Sequence, residues 1–269
     1  MQALRHFLLA VQFFTRVPVT GRLAQWVGFN QAMLRASSAH FPGVGWLVGG
    51  VLAALSAGLL AALPATALTP LVVAALGTAA GVYMTGAFHE DGLADVADGL
   101  GGSADRERAL VIMKDSRVGA FGAITITLAL LSKIALLALL GSLSATLMVW
   151  GLFIAHVASR SFPLLLIRGM RHVGDDAGSK SKPLAEQISA GALAGALVWL
   201  LAACALVAWA APVVPWWAGL LAAALACAWM WRWFARRLQG FTGDCLGATQ
   251  QICELAFYLG LALAWGQGG

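Results

Sequence analysis

The sequence predicts an all-α fold: a polytopic membrane helix bundle of about seven transmembrane helices with an N-terminal interfacial segment. Three observations carry this. The 269-residue chain is 60% hydrophobic and only 11% charged. Its mean hydropathy is +0.82. Its apolar runs repeatedly reach the roughly 20 residues that a bilayer core demands. That composition excludes a water-soluble globule.

The elements follow in order. The N-terminal stretch MQALRHFLLAVQFFTRVPV resembles a signal peptide at first sight. Its apolar core is short, Arg16 follows it, and no small-residue cleavage site is present,. It reads instead as an amphipathic segment lying at a membrane interface. Apolar spans are expected at 43–63, 67–88, 118–140, 144–167, 189–211, 213–234 and 246–265. The gaps at 64–66 and 141–143 predict tight hairpins. The longest loop, 89–117, contains DRERALVIM at 105–113, a short amphipathic helix with Leu110 and Met113 on its apolar side,. Loop 168–188 is rich in Gly, Ser, Lys and Asp and reads as mobile,. Loop 235–245 enters the last span through Thr242, Gly243 and Asp244. The whole, 1–269, forms one integral-membrane domain.

Charge placement supports the span count. Segments 64–66 and 141–143, the Pro212 turn and the tail after Trp265 carry no charge. Segments 1–42, 89–117, 168–188 and 235–245 carry nearly all of it. Seven spans put every charged segment on one side. The positive-inside rule makes that side cytoplasmic and leaves the C-terminus outside. Several tryptophans, among them Trp46, Trp209, Trp217 and Trp265, fall near span ends as an aromatic belt would,. The net charge of +5 follows from the same bias. No basic stripe is interleaved with aromatics, so no nucleic-acid partner is expected. The four cysteines form no CxxC pair and read as small apolar residues,.

The chemistry concentrates in FHEDGLADVADGLGG, Phe88 to Gly102. Asp91, Asp95 and Asp98 have i, i+4, i+7 spacing and share one helix face. Like charges at a membrane boundary must be solvated, paired or bound to a cation. Gly99, Gly101 and Gly102 should end any helix begun near Asp91. Carboxylates also come from Glu90, Asp115 and Asp244, and cations from Lys114, Arg117 and the intra-span Arg160. Carboxylates suit magnesium, and lysine and arginine suit phosphate oxygens. A metal cage beside fixed cations fits transfer or cleavage at a pyrophosphate. Lys133, Arg160 and Glu254 fall inside spans, where a charge costs on the order of 3 kcal/mol at the bilayer centre. Each needs a partner. A Lys133–Glu254 ion pair is expected, and Arg160 and Glu254 should share a polar funnel with Gln250 and Gln251. His156, one turn before Arg160, reads as a packed-core residue.

FHEDGLADVADGLGG, IMKDSRVGAFG at 112–122 and TGDCLGATQQICE at 242–254 resemble the cobalamin synthase (adenosylcobinamide-GDP ribazoletransferase) family. LAVQFFTRVPV, FPGVGWLVGG at 41–50 and SRSFP at 159–163 extend the resemblance over nearly the whole chain. One departure is visible: paired glycines are common in the family where this chain has Gln239 and Gly240. The resemblance implies a bacterial inner-membrane enzyme joining adenosylcobinamide-GDP to alpha-ribazole or its 5′-phosphate, with GMP leaving and magnesium as cofactor. In that frame Glu90, Asp91, Asp95 and Asp98 are the metal ligands. Asp98, Asp115, Lys114 and Arg117 are the catalytic set. His89, Arg160, Asp244, Gln251 and Glu254 bind substrate. Homo-oligomerisation is left open. The motif also looks like the aspartate array of CDP-alcohol phosphotransferases, which would act on a different acceptor. A transporter would need a midplane site and an inverted repeat, and none is evident.

Overall fold

The computed structural model describes residues 1–174 and 188–266, and the described residues are helical throughout apart from short connections. The expected mobility of loop 168–188 therefore falls mostly outside the described residues. The helices are α1 (Gln2–Phe14), α2 (Gly21–Val27), α3 (Gln31–Ser37), α4 (Phe41–Ala62), α5 (Thr69–Thr85), α6 (Phe88–Gly102), α7 (Arg106–Ile112), α8 (Ala120–Leu143), α9 (Ala145–Ser161), α10 (Pro163–Gly169), α11 (Ala190–Ala210), α12 (Trp216–Arg237) and α13 (Gly243–Trp265). A single 3-10 turn, Ser38–His40, joins α3 to α4.

Among the described residues, five helical stretches are long and apolar enough to cross a bilayer, or six if the bent pair α5–α6 counts as one span. The expected seventh, α13, has the length of a span at 23 residues. Its polarity sets it apart, because it carries Gln250, Gln251 and Glu254, all buried. It is the central helix, packed against α6, α8, α9, α10 and α12. Lipid-facing polarity of that kind would be costly, so a polar span must sit inside the bundle.

Local signals set the boundaries. Asn30, Asp105, Ser144, Ser189 and Thr242 each accept a backbone N–H from the first turn of the helix they precede,. Pro70 sits at the first positions of α5, where a missing N–H costs nothing,. α5 ends at Gly86 and Ala87, both left-handed with φ of 68° and 59°. The break turns the chain by 89° between α5 and α6. A left-handed alanine is uncommon, and tertiary contact holds it there. The amide of Arg16 donates to the Met84 carbonyl at 2.7 Å. α6 then runs unbroken through Gly99 and Gly101 and stops after Gly102, later than the first glycine of that cluster suggested. Those glycines serve packing: a Cβ at Gly99 would strike Met113 and Ala109 of the α7 region, and one at Gly101 would strike Phe121.

The charged segments meet at one end. Arg237 donates to the carbonyls of Leu100 and Ser103, and Arg106 donates to that of Leu238. Phe241 pairs through its backbone with the 171–173 segment, accepting from the Val173 amide at 2.9 Å and donating to the Arg171 carbonyl at 3.0 Å. Phe14 of α1 lies against Phe88 and His89. The amphipathic reading of the N-terminus holds for α1, which buries Leu9, Ala10, Val11 and Phe14 and exposes Leu4. Trp46 departs from the belt reading, since its indole donates to the Trp199 carbonyl between α4 and α11. The cysteines are free and buried, as expected.

Gln239 occupies a left-handed position, φ 55°, which favours glycine,. Gly240 beside it has no room for a side chain, because a Cβ would collide with the Arg171 carbonyl and Val173. Gln239→Gly should keep or raise the thermal midpoint of the detergent-solubilised protein, since glycine adopts positive φ without steric cost. Gly240→Ala should lower it by several degrees.

Candidate functional site

Two glycines create the site by letting α6 and the first turns of α13 touch. A Cβ at Gly92 would lie 2.9 Å from the Asp244 carbonyl oxygen, and one at Gly247 would lie 3.2 Å from that of His89. The contact sets Asp91 and Asp95 of α6 against Asp244 of α13. Burial first, then the charges of Asp244, Asp91 and Asp98, push the Asp95 carboxyl up to about 7. Burial raises Asp244 as well, with Asp91 adding to it, while the Thr242 hydroxyl donating at 3.2 Å pulls the other way.

Asp98 shares the face and also reaches a neighbouring helix. Its two oxygens accept the amides of Gly119 and Gly122, both at 2.7 Å. α8 begins at Gly119, which has no side chain to cap it. The carboxylate of α6 supplies the cap and opposes the positive end of the helix dipole.

Asp115 and Arg117 lie on the loop into α8 and pair with each other. The guanidinium donates Nε to Oδ1 at 2.9 Å and Nη2 to Oδ2 at 2.5 Å. This bidentate hydrogen bonding holds Asp115 down at about 2. Arg117 is 87% exposed. Lys114, just before the pair, is exposed on the same loop.

Behind the acidic face, inside the bundle, lies a buried polar network centred on Glu254. Lys133 of α8 reaches its Oε1 at 2.6 Å, as expected. The Tyr258 hydroxyl donates to the same oxygen at 2.9 Å, and Gln250 donates to Oε2 at 2.7 Å. Gln250 also donates to Ser159 at 2.9 Å and accepts from Gln251 at 3.0 Å. Gln251 donates to Glu90 at 3.0 Å, which joins the network to α6. Arg160 contacts the His156 ring nitrogen at 2.9 Å and donates to its carbonyl at 3.0 Å. His156 Nε2 lies 3.7 Å from Glu254 Oε1, which makes His156 a member of the network rather than inert core. Glu90 Oε2, His156 Nε2 and Arg160 Nε are buried without a hydrogen-bond partner.

Apart from Asp98 at the start of α8 and His89, the nominated side chains fall into three groups. Asp91, Asp95 and Asp244 face one another. Lys114, Asp115 and Arg117 stand at the loop before α8. Glu90, Arg160, Gln251 and Glu254 belong to the interior network, and His89 is buried against Phe14. Sequence reasoning passed over Tyr258 and Ser159. The signal for Tyr258 was present, because Gln250, Glu254 and Tyr258 repeat every fourth residue along one face of an apolar helix,. Among the described residues no three His, Cys, Asp or Glu side chains are grouped so that they could hold a metal ion. Asp91, Asp95 and Asp244 offer oxygen donors of the kind a divalent cation takes.

Two measurements check these assignments. Lys133→Met strands a buried carboxylate and should cost about 3–5 kcal/mol, with much of that recovered in Lys133→Met/Glu254→Gln, as read by denaturation. The raised Asp95 stabilises the fold only while protonated. The cation-free protein should therefore lose stability as pH rises from the ordinary 3.8 through about 7,. Asp95→Asn should flatten that slope in thermal melts taken across the range.

The comparisons with known proteins agree with one another. The family model described as cobalamin-5-phosphate synthase matches residues 6–262. A protein of Albidiferax ferrireducens named adenosylcobinamide-GDP ribazoletransferase is 66% identical, over 97% of this chain and 99% of its own. One of Polaromonas naphthalenivorans with the same name is 59% identical, over 98% of this chain and 99% of its own. A third, from Leptothrix cholodnii, is 45% identical, over 97% and 96%. No solved structure matches. With the family match spanning nearly all of its length, the chain belongs to the cobalamin-5-phosphate synthase family and is an enzyme.

Proposed function

We propose that the chain transfers the adenosylcobinamide-phosphoryl group of adenosylcobinamide-GDP to alpha-ribazole or alpha-ribazole 5′-phosphate, giving adenosylcobalamin or its 5′-phosphate and GMP, with magnesium as cofactor. The relatives' shared name supports the reaction class. The observation that carries the site is the crowding of Asp91, Asp95 and Asp244 where Gly92 and Gly247 bring α6 onto α13. Carboxylates that raise one another's proton affinity gain from a divalent cation. Magnesium commonly takes one or two carboxylates and fills its remaining positions with water and substrate phosphate. When bound, it would neutralise charge on the diphosphate as GMP departs.

The chain's own groups do the rest. Asp91, Asp95 and Asp244 would hold the ion, and Asp98 keeps α8 in register behind them. Arg117, oriented by Asp115, and Lys114 meet the phosphoryl oxygens at the mouth. A ribose hydroxyl of the acceptor attacks the phosphorus nearer the corrinoid. A new P–O bond forms, the bond to the bridging oxygen breaks, and GMP leaves with that oxygen. A carboxylate of the acidic face takes the hydroxyl proton. No covalent enzyme intermediate is required. We further place the protein in the bacterial inner membrane with the charged end in the cytoplasm and the C-terminus outside, on the positive-inside rule.

The test is GMP release by purified protein supplied with magnesium, adenosylcobinamide-GDP and alpha-ribazole. Asp91→Asn should lose activity by at least a hundredfold while still inserting into membranes. Unchanged turnover in that variant would remove its metal role, and absence of GMP release by the unaltered protein would overturn the reaction.

A further inference from the structure

We infer that a phenylalanine-lined crevice beside the acidic face holds the heteroaromatic base of the acceptor nucleoside, with Arg160 as its polar contact. This rests on the transfer reading above.

Phe13 and Phe14 of α1, Phe41 of α4, Phe88 and His89 of α6, and Arg160 of α9 line the crevice. Gly243 and Gly247 complete it, and they flank Asp244. A molecule seated there therefore adjoins the crossing that gathers the carboxylates. The rings are held in fixed relation. Phe14 meets Phe41 and Phe88 edge-on, with centroids 4.4 and 5.4 Å apart, and Phe13 meets Phe88 at 5.6 Å. The His89 ring lies within 16° of parallel to Phe14. Flat walls set by such packing accept a flat guest.

The polar inventory narrows the guest further. Arg160 is 5% exposed. One of its terminal nitrogens is engaged with His156, and its Nε has no partner. Arg160 puts a guanidinium, which only donates, on a lining made mostly of rings, so the crevice favours a guest bearing an acceptor,. Gln250 does not add to the supply. Its amide nitrogen serves Ser159 and Glu254, and its oxygen accepts from Gln251. Guanine carries O6 and N7 acceptors and an exocyclic amino donor, and a lining of phenylalanines, proline, leucine and glycines leaves most of that polar edge unpaired,. A benzimidazole-type bicycle is apolar over both faces and has one ring nitrogen that accepts. It matches a slot walled by rings with one guanidinium on its lining. The guest is therefore the base of the acceptor, and the guanine of the donor lies elsewhere.

The experiment uses the full chain in detergent and measures equilibrium binding of alpha-ribazole and of GDP separately. Alpha-ribazole should bind the unaltered protein, and free benzimidazole should compete with it. Phe88→Ala should weaken alpha-ribazole at least tenfold and leave GDP within twofold. Phe13→Leu, which keeps apolar volume but removes a flat wall, gives the same comparison should the first variant fail to fold. The inference is overturned if alpha-ribazole does not bind, if its affinity is unchanged in the variants, or if GDP is the ligand that is lost. GMP release separates this outcome from the reaction itself. Release with an unchanged alpha-ribazole KM in the variants sinks the subsite alone. Crevice binding without any release sinks the reaction alone.

Discussion

The structure depends on one carboxylate kept charged inside an apolar bundle. Glu254 sits on the central helix and is matched by Lys133 from α8 at 2.6 Å. In a low-dielectric interior neither ion is tolerable alone. Their pairing fixes the rotation of α13 about its axis, because a turn of the helix would carry Glu254 away from its cation. Everything else on that helix follows from this rotation. Tyr258 and Gln250 fall in line with Glu254, and Gln251 is directed to Glu90 of α6. The first turns of α13, with Asp244 and Gly247, are thereby presented to α6.

The acidic face is the outer counterpart of that interior. α6 is amphipathic in an unusual sense. Its buried residues include small and apolar ones, Gly92, Leu93, Ala94 and Val96, beside His89, Glu90 and Asp98. Glycines at the crossing remove the usual side-chain spacing between helices, so the carboxylates approach closely enough to feel one another. Close backbone approach through small residues is a common way to join helices in membranes. Here it has the added result of concentrating negative charge at the rim of the bundle.

Much of this was legible in the sequence. The helical class, the gathering of charged segments at one end and the Lys133–Glu254 pair follow from span lengths, charge alternation and the cost of an unpaired intramembrane ion. The division of labour among the acids was not. Spacing put Asp91, Asp95 and Asp98 on one face, but spacing does not say what stands opposite. Asp98 faces the bare N-terminus of α8, while Asp91 and Asp95 face Asp244, 149 residues from Asp95 in the chain. The role of Gly92 was also hidden. A glycine in an acidic motif suggests backbone exposure to phosphate, and only the three-dimensional crossing shows that it accommodates another helix. The polarity of α13 was readable, yet its central position emerged from packing.

The cap on α8 has a consequence for how the protein moves. The amides of Gly119 and Gly122 are satisfied by a side chain from a different helix. If α6 lifts from the bundle, the end of α8 is left with unmet donors, so the two segments open or stay shut together. Opening of the rim is thus tied energetically to the integrity of a neighbouring membrane-spanning segment. A helix that carried its own serine or aspartate cap would have left α6 at liberty to breathe by itself; by lacking one, α8 acts as its brake.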